Sequence, residues 1–83
     1  MKMEELLGRL EESENAERRA LSRCMKREYL KLEKGQDIDT RNNGFEFLNG
    51  CIETMLALGE ITDREENELW RELFASLQRE EKI

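Results

Sequence analysis

The sequence has no proline and no histidine, and only two cysteines and five glycines among its 83 residues. Proline and glycine are the residues that most often interrupt helices, and here proline is absent and glycine is rare. An all-α protein is therefore expected rather than one made of strands and tight turns. The lack of histidine argues against a structural zinc site and against catalysis by a serine or cysteine paired with a histidine base. Two cysteines are too few for the disulfide framework of a small secreted domain, which favours reduced thiols and a cytoplasmic location.

Long apolar segments are also missing. The longest apolar run covers residues 55–58, far short of the roughly 18 to 20 residues that cross a bilayer, so no membrane association is predicted. Because there is also no glycine-rich phosphate loop, the sequence predicts a non-enzymatic protein with no cofactor and no metal. A core of this size contributes only about 3 to 5 kcal/mol, so we expect a homo-oligomer or a protein partner.

Apolar residues spaced by three and four predict three helices, over about residues 2–34, 44–58 and 63–79. The polar stretch at residues 11–15 fits either a continuous first helix, which we prefer, or a break capped by Ser13. Asn43 and Glu46 are typical of a capping box that opens the second helix. Since short connections make neighbouring helices antiparallel, the predicted fold is a single-domain three-helix bundle, monomeric or dimeric.

The first predicted helix is about 50 Å long, whereas the other two are only about 25 Å long. Its N-terminal apolar stripe therefore extends beyond the bundle, as a dimer seam, as a helix that docks on a partner, or as a frayed end or fourth bundle helix. Two aromatic residues of the third helix belong either to the core or, if exposed, to the same kind of contact surface. The candidate partner or dimer interface consists of Met3, Leu6, Leu7, Leu10, Trp70 and Phe74.

Charge is distributed unevenly along the chain, which has 20 acidic and 14 basic residues and a net charge of −6. Residues 18–34 contain seven basic and two acidic side chains, and we call the seven the basic stripe. The stripe supports the alternative prediction of a dimeric nucleic-acid-binding regulator, although we prefer the interpretation that it neutralises acidic helices beside it or in a dimer mate. Its members are Arg18, Arg19, Arg23, Lys26, Arg27, Lys31 and Lys34.

The third predicted helix is acidic, and its carboxylates are either a solvated face or a mimic of a phosphate backbone that occupies a nucleic-acid enzyme. This acidic face consists of Asp63, Glu65, Glu66, Glu68 and Glu72, extended by Glu80 and Glu81.

Two smaller groups of residues leave alternatives open. Asp37, Asp39 and Glu46 suit a carboxylate magnesium site or, equally well, the turn and cap between two helices. Cys24 and Cys51 lie at similar heights on adjacent predicted helices, where they allow close packing or form a redox clip.

Gly59, Ile61, Thr62 and Glu65 form the pattern G-x-I-T-x-x-E, in which Thr62 and Glu65 are typical of a capping box. This segment resembles the helical hairpin of the SHOCT family and of small accessory proteins from phages and mobile elements. The resemblance implies a short antiparallel hairpin in a small regulator. The leading prediction is therefore a protein-binding regulator or inhibitor that occludes a macromolecular target sterically or electrostatically.

Overall fold

Residues 1–78 are described by a computed structural model and contain no strand, so the prediction of an all-helical protein is confirmed. The prediction of a three-helix bundle is wrong, because two separate helices take the place of the first predicted helix and make four in residues 1–78. The predicted end of the last helix at Arg79, and the acids Glu80 and Glu81, lie outside the described residues. In the described part of the chain, no helix is long and apolar enough to span a membrane. The four helices are α1 (Met3–Glu11), α2 (Ala16–Lys34), α3 (Ile38–Ala57) and α4 (Asp63–Gln78).

The chain reverses direction at residues 12–15, between α1 and α2. Asn15 is the N-cap of α2, because its side chain accepts a hydrogen bond from the Arg18 N–H at 3.0 Å. The Ser13 hydroxyl accepts a bond from the Asn15 N–H at 3.0 Å and so stabilises the turn rather than capping the helix. The preferred prediction of one continuous helix is therefore wrong, because the helix is interrupted at residues 12–15. Helix α1 packs back against α2.

This reversal buries the apolar face of α1. Met3, Leu6, Leu7 and Leu10 are each at most 5% exposed and join the core formed by the other helices. The stripe projecting beyond the bundle is therefore absent, and α1 is the fourth bundle helix that the sequence left open as an alternative, because one chain buries these four side chains by itself. The remaining core residues are Met25, Leu32, Leu48, Ile52, Met55, Ile61, Leu69 and Leu73.

Helix α3 begins earlier than predicted. Asp37 is its N-cap and accepts a hydrogen bond from the Thr40 N–H at 2.8 Å, which holds the pKa of the Asp37 carboxyl below its usual range. The predicted capping box of Asn43 and Glu46 is wrong, since both residues lie inside α3. Of the two interpretations that the sequence left open, a magnesium site or a helix cap, Asp37 has the cap role. Residues 1–78 contain no cluster of three or more side chains that could hold a metal ion.

Two buried residues fix how α3 packs. A Cβ added at Gly44 would lie 2.5 Å from the carbonyl oxygen of Glu28 and 3.1 Å from the amide nitrogen of Leu32, so only glycine allows this approach of α2 and α3. Arg41 donates through Nη2 to the carbonyl oxygens of Ser76 and Leu77, the latter at 3.3 Å. This guanidinium therefore ties the start of α3 to the last described turn of α4.

The connection from α3 to α4 is the tight turn that the sequence indicates. Gly59 has a φ of +76°, a left-handed conformation that favours glycine. The Thr62 hydroxyl accepts a bond from the Glu65 N–H at 3.1 Å, and the Glu65 carboxylate accepts one from the Thr62 N–H at 3.0 Å. This capping box sets the first turn of α4 beside the buried Ile61.

Candidate functional site

An open groove of about 610 Å³ runs between α2 and α3, and we call it the α2–α3 groove. Two large apolar side chains of α3 stand exposed along it: Phe47 is 40% exposed, and Leu58, at the end of the helix, is 69% exposed. Such side chains cost free energy to leave in water, and other apolar residues line the groove between them. The apolar lining consists of Leu10, Leu21, Phe47, Gly50, Cys51, Met55 and Leu58.

The periodicity of α3 accounts for the shape of this groove. Phe47, Cys51, Thr54 and Leu58 are spaced by four, three and four residues, which places them along one side of the helix. At 1.5 Å per residue the line from Phe47 to Leu58 is about 16 Å long, or three helical turns. The Thr54 hydroxyl donates to the Gly50 carbonyl at 2.9 Å, so this polar group is already bonded within α3. The exposed line is therefore mainly apolar.

The cysteine in the groove is a packing residue in this structure. Burial raises the pKa of the Cys51 thiol, and nearby Cys24 and Glu28 raise it further. A thiol with a raised pKa stays protonated at neutral pH and is a poor nucleophile. Cys24 and Cys51 are both free and half-buried, which agrees with close packing of the two helices.

Acidic side chains rim the groove. The Arg18 guanidinium pairs with the Glu60 carboxylate through two hydrogen bonds, which raise the pKa of Arg18. Glu17 and Glu46 also line the groove and are exposed, and neither has an ion-pair partner among residues 1–78. The one rim cation is thus neutralised, while two rim carboxylates are not.

Most of the basic stripe is engaged by the chain's own oxygen atoms. Lys26 pairs with Glu11 at 2.5 Å. Lys31 and Arg27 approach the buried Glu28 at 3.2 and 3.5 Å, and Arg18 pairs with Glu60 as above. Arg19 donates to the Ser13 carbonyl at 2.7 Å. Within residues 1–78, Arg23 and Lys34 are the stripe members whose side chains have no hydrogen bond or ion pair, and they are eleven residues apart along α2.

Three of the five residues in the predicted acidic face hold α1 against α4. The Glu72 carboxylate accepts bonds from the Met3 N–H and the Tyr29 hydroxyl, each at 2.7 Å. Glu68 contacts the amino group of Met1, which lowers the pKa of Glu68. The pKa of Glu65 is lowered by its bond from Thr62 and by Arg9, which lies at 3.3 Å. These carboxylates act within the fold, and Asp63 and Glu66 complete the predicted face.

A second apolar surface lies at the seam of α3 and α4, and we call Phe45, Trp70 and Phe74 the aromatic patch. Trp70 stacks on Phe74 with ring centroids 4.7 Å apart and an interplanar angle of 11°. Phe45 lies 6.4 Å from Phe74. Trp70 is 39% exposed and Phe74 is 36% exposed, so each is partly available for contact. Phe45 and Phe47 point to opposite sides of α3, which separates the patch from the groove.

Sequence reasoning missed Phe47 and Leu58, because neither falls on the buried stripe of α3. Their position off that stripe is itself the observation that identifies them, since an apolar residue outside the core-facing stripe is left exposed unless something else covers it. Comparisons of the chain with protein-family models, with curated proteins and with solved structures find no match. The resemblance of residues 59–65 to a SHOCT hairpin thus stays a prediction.

Proposed function

We propose that this chain is a non-enzymatic protein-binding module that contacts its target through the α2–α3 groove. The observation that carries the proposal is the exposure of Phe47 and Leu58 at the edges of one apolar groove. Complete burial of an exposed side chain of this size contributes about 1.5 to 3 kcal/mol, and the surface that Phe47 and Leu58 still expose supplies about half of that each. A bound module of this size occludes the surface that it covers, so we propose that it acts as a regulator or inhibitor. Its resemblance to small accessory proteins supports an origin in a phage or mobile element.

Nucleic-acid binding is the weaker proposal. Phosphate binding needs cations that are free to displace counterions along a strand. Here the stripe cations Arg18, Lys26, Arg27 and Lys31 already pair with carboxylates of the same chain. These pairs support the interpretation that the basic stripe neutralises the surrounding acidic surface.

The test is affinity capture from a bacterial lysate with matched variants, in nuclease-treated and untreated halves. Phe47→Gln is paired with Phe74→Gln, which changes a similarly exposed phenylalanine in the aromatic patch. Leu58→Gln is paired with Leu30→Gln, which changes an exposed leucine outside the groove.

We expect one stoichiometric protein that survives nuclease, is lost with Phe47→Gln and Leu58→Gln, and is kept with both controls. The loss should be about tenfold or more in affinity for each groove variant. Loss with Phe74→Gln alone would transfer the function to the aromatic patch. Capture that disappears with nuclease would favour the nucleic-acid regulator instead.

A further inference from the structure

Gly50 is a glycine that the fold itself does not need. It lies in the interior of α3, where glycine weakens a helix relative to alanine. Nothing lies within 4 Å of the position that its Cβ would take, and the positive φ among the described glycines is at Gly59. Gly44, in the same helix, is the contrast, because a Cβ there meets the backbone of α2. Neither packing nor backbone conformation within residues 1–78 explains Gly50.

The missing side chain has a definite effect on the groove. Gly50 lines the α2–α3 groove between Phe47 and Thr54 and is exposed, so its absent Cβ leaves the backbone of α3 open to the groove. Glycine at such a position allows another backbone to approach closely. A residue that breaks a local rule without an internal reason is expected at a functional position.

Charge and dimensions identify the class of segment that fits. The carboxylates of Glu17 and Glu46, which have no ion-pair partner in the described part of the chain, stand on the rim, and the rim cation Arg18 is held by Glu60. A bound segment gains from positive charge beside these carboxylates. Three helical turns, or about 16 Å, match the exposed apolar line on α3, and an amphipathic helix presents the apolar stripe that such a groove binds.

We propose that the α2–α3 groove binds a basic amphipathic helix of another protein, with its apolar stripe packed over Gly50 and its cations beside Glu17 and Glu46. This inference rests on the proposed function and names its partner class. The helix backbone comes closest where α3 has no side chain, and Phe47 and Leu58 flank the contact at its two ends.

The first experiment measures binding of a fluorescein-labelled peptide by anisotropy. The probe is a helical peptide of about five turns with leucines on one face and lysines and arginines on the other. A second peptide has glutamates in place of its basic residues. We expect the basic peptide to bind and the acidic one not to bind, while equal binding of both would overturn the charge argument.

Gly50→Ala tests the close approach, and Gly8→Ala is its matched control. Gly8 is also inside a helix, with nothing within 4 Å of its Cβ position. Both variants should raise the urea midpoint of unfolding, because alanine is the better helix former. Gly50→Ala alone should weaken binding of the basic peptide, by about tenfold, since the added methyl group overpacks the contact. Unchanged affinity would overturn the close approach.

The rim is tested by two double variants of equal net charge. Glu17→Gln with Glu46→Gln removes the rim carboxylates, and Glu4→Gln with Asp39→Asn removes two exposed carboxylates elsewhere. The rim variant should weaken basic-peptide binding about fivefold and flatten its salt dependence, and the control should not. If both double variants weaken peptide binding equally, the effect depends on net charge alone, and the proposed contacts of the peptide with Glu17 and Glu46 are overturned.

Failure of this inference can be distinguished from failure of the proposed function. Suppose that capture of a lysate protein is lost with Phe47→Gln but unchanged in the rim variant. That result would support the proposed protein-binding function and overturn the inference that the partner is a basic helix. Light scattering provides the remaining outcome: a dimer that Phe47→Gln dissociates would place a second copy of this chain in the groove and also overturn the inference.

Discussion

Gly44→Ala is the substitution whose effect is best determined by this structure. The added Cβ would lie 2.5 Å from the carbonyl oxygen of Glu28, 3.1 Å from the amide nitrogen of Leu32 and 3.2 Å from the Cβ of Lys31. Two of these three atoms belong to the backbone of α2, so no rotamer change relieves the contact. The helices must therefore move apart along their most extensive interface.

Two opposing effects set the size of the change. Alanine in place of glycine in a helix stabilises it by about 0.5 to 1 kcal/mol, as we expect for Gly8→Ala, where the Cβ position is open. Overpacking costs about 1 to 3 kcal/mol, and contact with a backbone places Gly44→Ala at the upper end. The net loss is about 2 kcal/mol, so the two variants should differ by about 3 kcal/mol. For a domain of this size, Gly44→Ala should lower Tm by about 8 to 16 °C.

Urea unfolding followed by far-UV circular dichroism measures both variants against the unchanged chain. The expected order of urea midpoints is Gly8→Ala highest and Gly44→Ala lowest, with equal slopes if the unfolded states are alike. A Gly44→Ala variant as stable as Gly8→Ala would show that α2 and α3 do not approach closely at residue 44, and would refute the packing that forms the groove.

Three further predictions concern hydrogen bonds that stabilise the fold. Arg41→Met should lower the free energy of unfolding, measured in urea, by about 1 to 3 kcal/mol, because the carbonyl oxygens of Ser76 and Leu77 lose a buried donor, while loss of the Arg41 Nε, which has no partner among residues 1–78, offsets part of the cost. Burial first, and then the Glu72 carboxylate, raise the pKa of Tyr29 above its usual value. The stability contributed by this raised pKa is complete below a pH of about 10, where tyrosine is protonated in both the folded and the unfolded chain. It is lost as the pH rises further, because the tyrosine ionises first in the unfolded chain. Tyr29→Phe should therefore show a smaller decline in urea stability above a pH of about 10 than the unchanged chain. Asn15→Ala should cost about 1 kcal/mol in the same assay by removing the N-cap of α2.

The local signals in the sequence were sufficient wherever neighbouring residues decide the structure. The turn at Gly59 and the reciprocal bonds of Thr62 and Glu65 follow from backbone conformation and side-chain reach over a few residues. The all-helical class follows in the same way from composition and apolar spacing. None of these features depends on which helices meet.

The break between α1 and α2 depends on tertiary packing and was not decided by residues 11–15. Both a continuous helix and a capped turn satisfy that polar stretch locally. The fold-back buries four large apolar side chains of α1, and at about 1.5 to 3 kcal/mol for each this exceeds the cost of interrupting one helix. The start of α3 is similar, because Asp37 and Asn43 are both acceptable caps, and the longer helix brings Arg41 to the end of α4.

Charge pairing was equally inaccessible from the sequence. Arg18 and Glu60 are 42 residues apart, and Lys26 and Glu11 are 15 residues apart across a turn whose position was uncertain. A run of cations along α2 therefore resembled a phosphate-binding stripe until the fold placed carboxylates beside it. The same reasoning applies to Glu72, whose two donors come from α1 and α2.

The composition of α3 connects the fold to the proposed function. Its charged residues are Asp39, Arg41, Glu46 and Glu53, four in a helix of 20 residues, whereas 41% of the whole chain is charged. A helix with so few charges and apolar residues on several sides is typically covered on most of its surface. Within residues 1–78, α2 and α4 are the helices that pack extensively on α3, yet Phe47 stays 40% exposed and Leu58 stays 69% exposed. The composition of α3 is therefore explained if another molecule completes its surroundings at the α2–α3 groove.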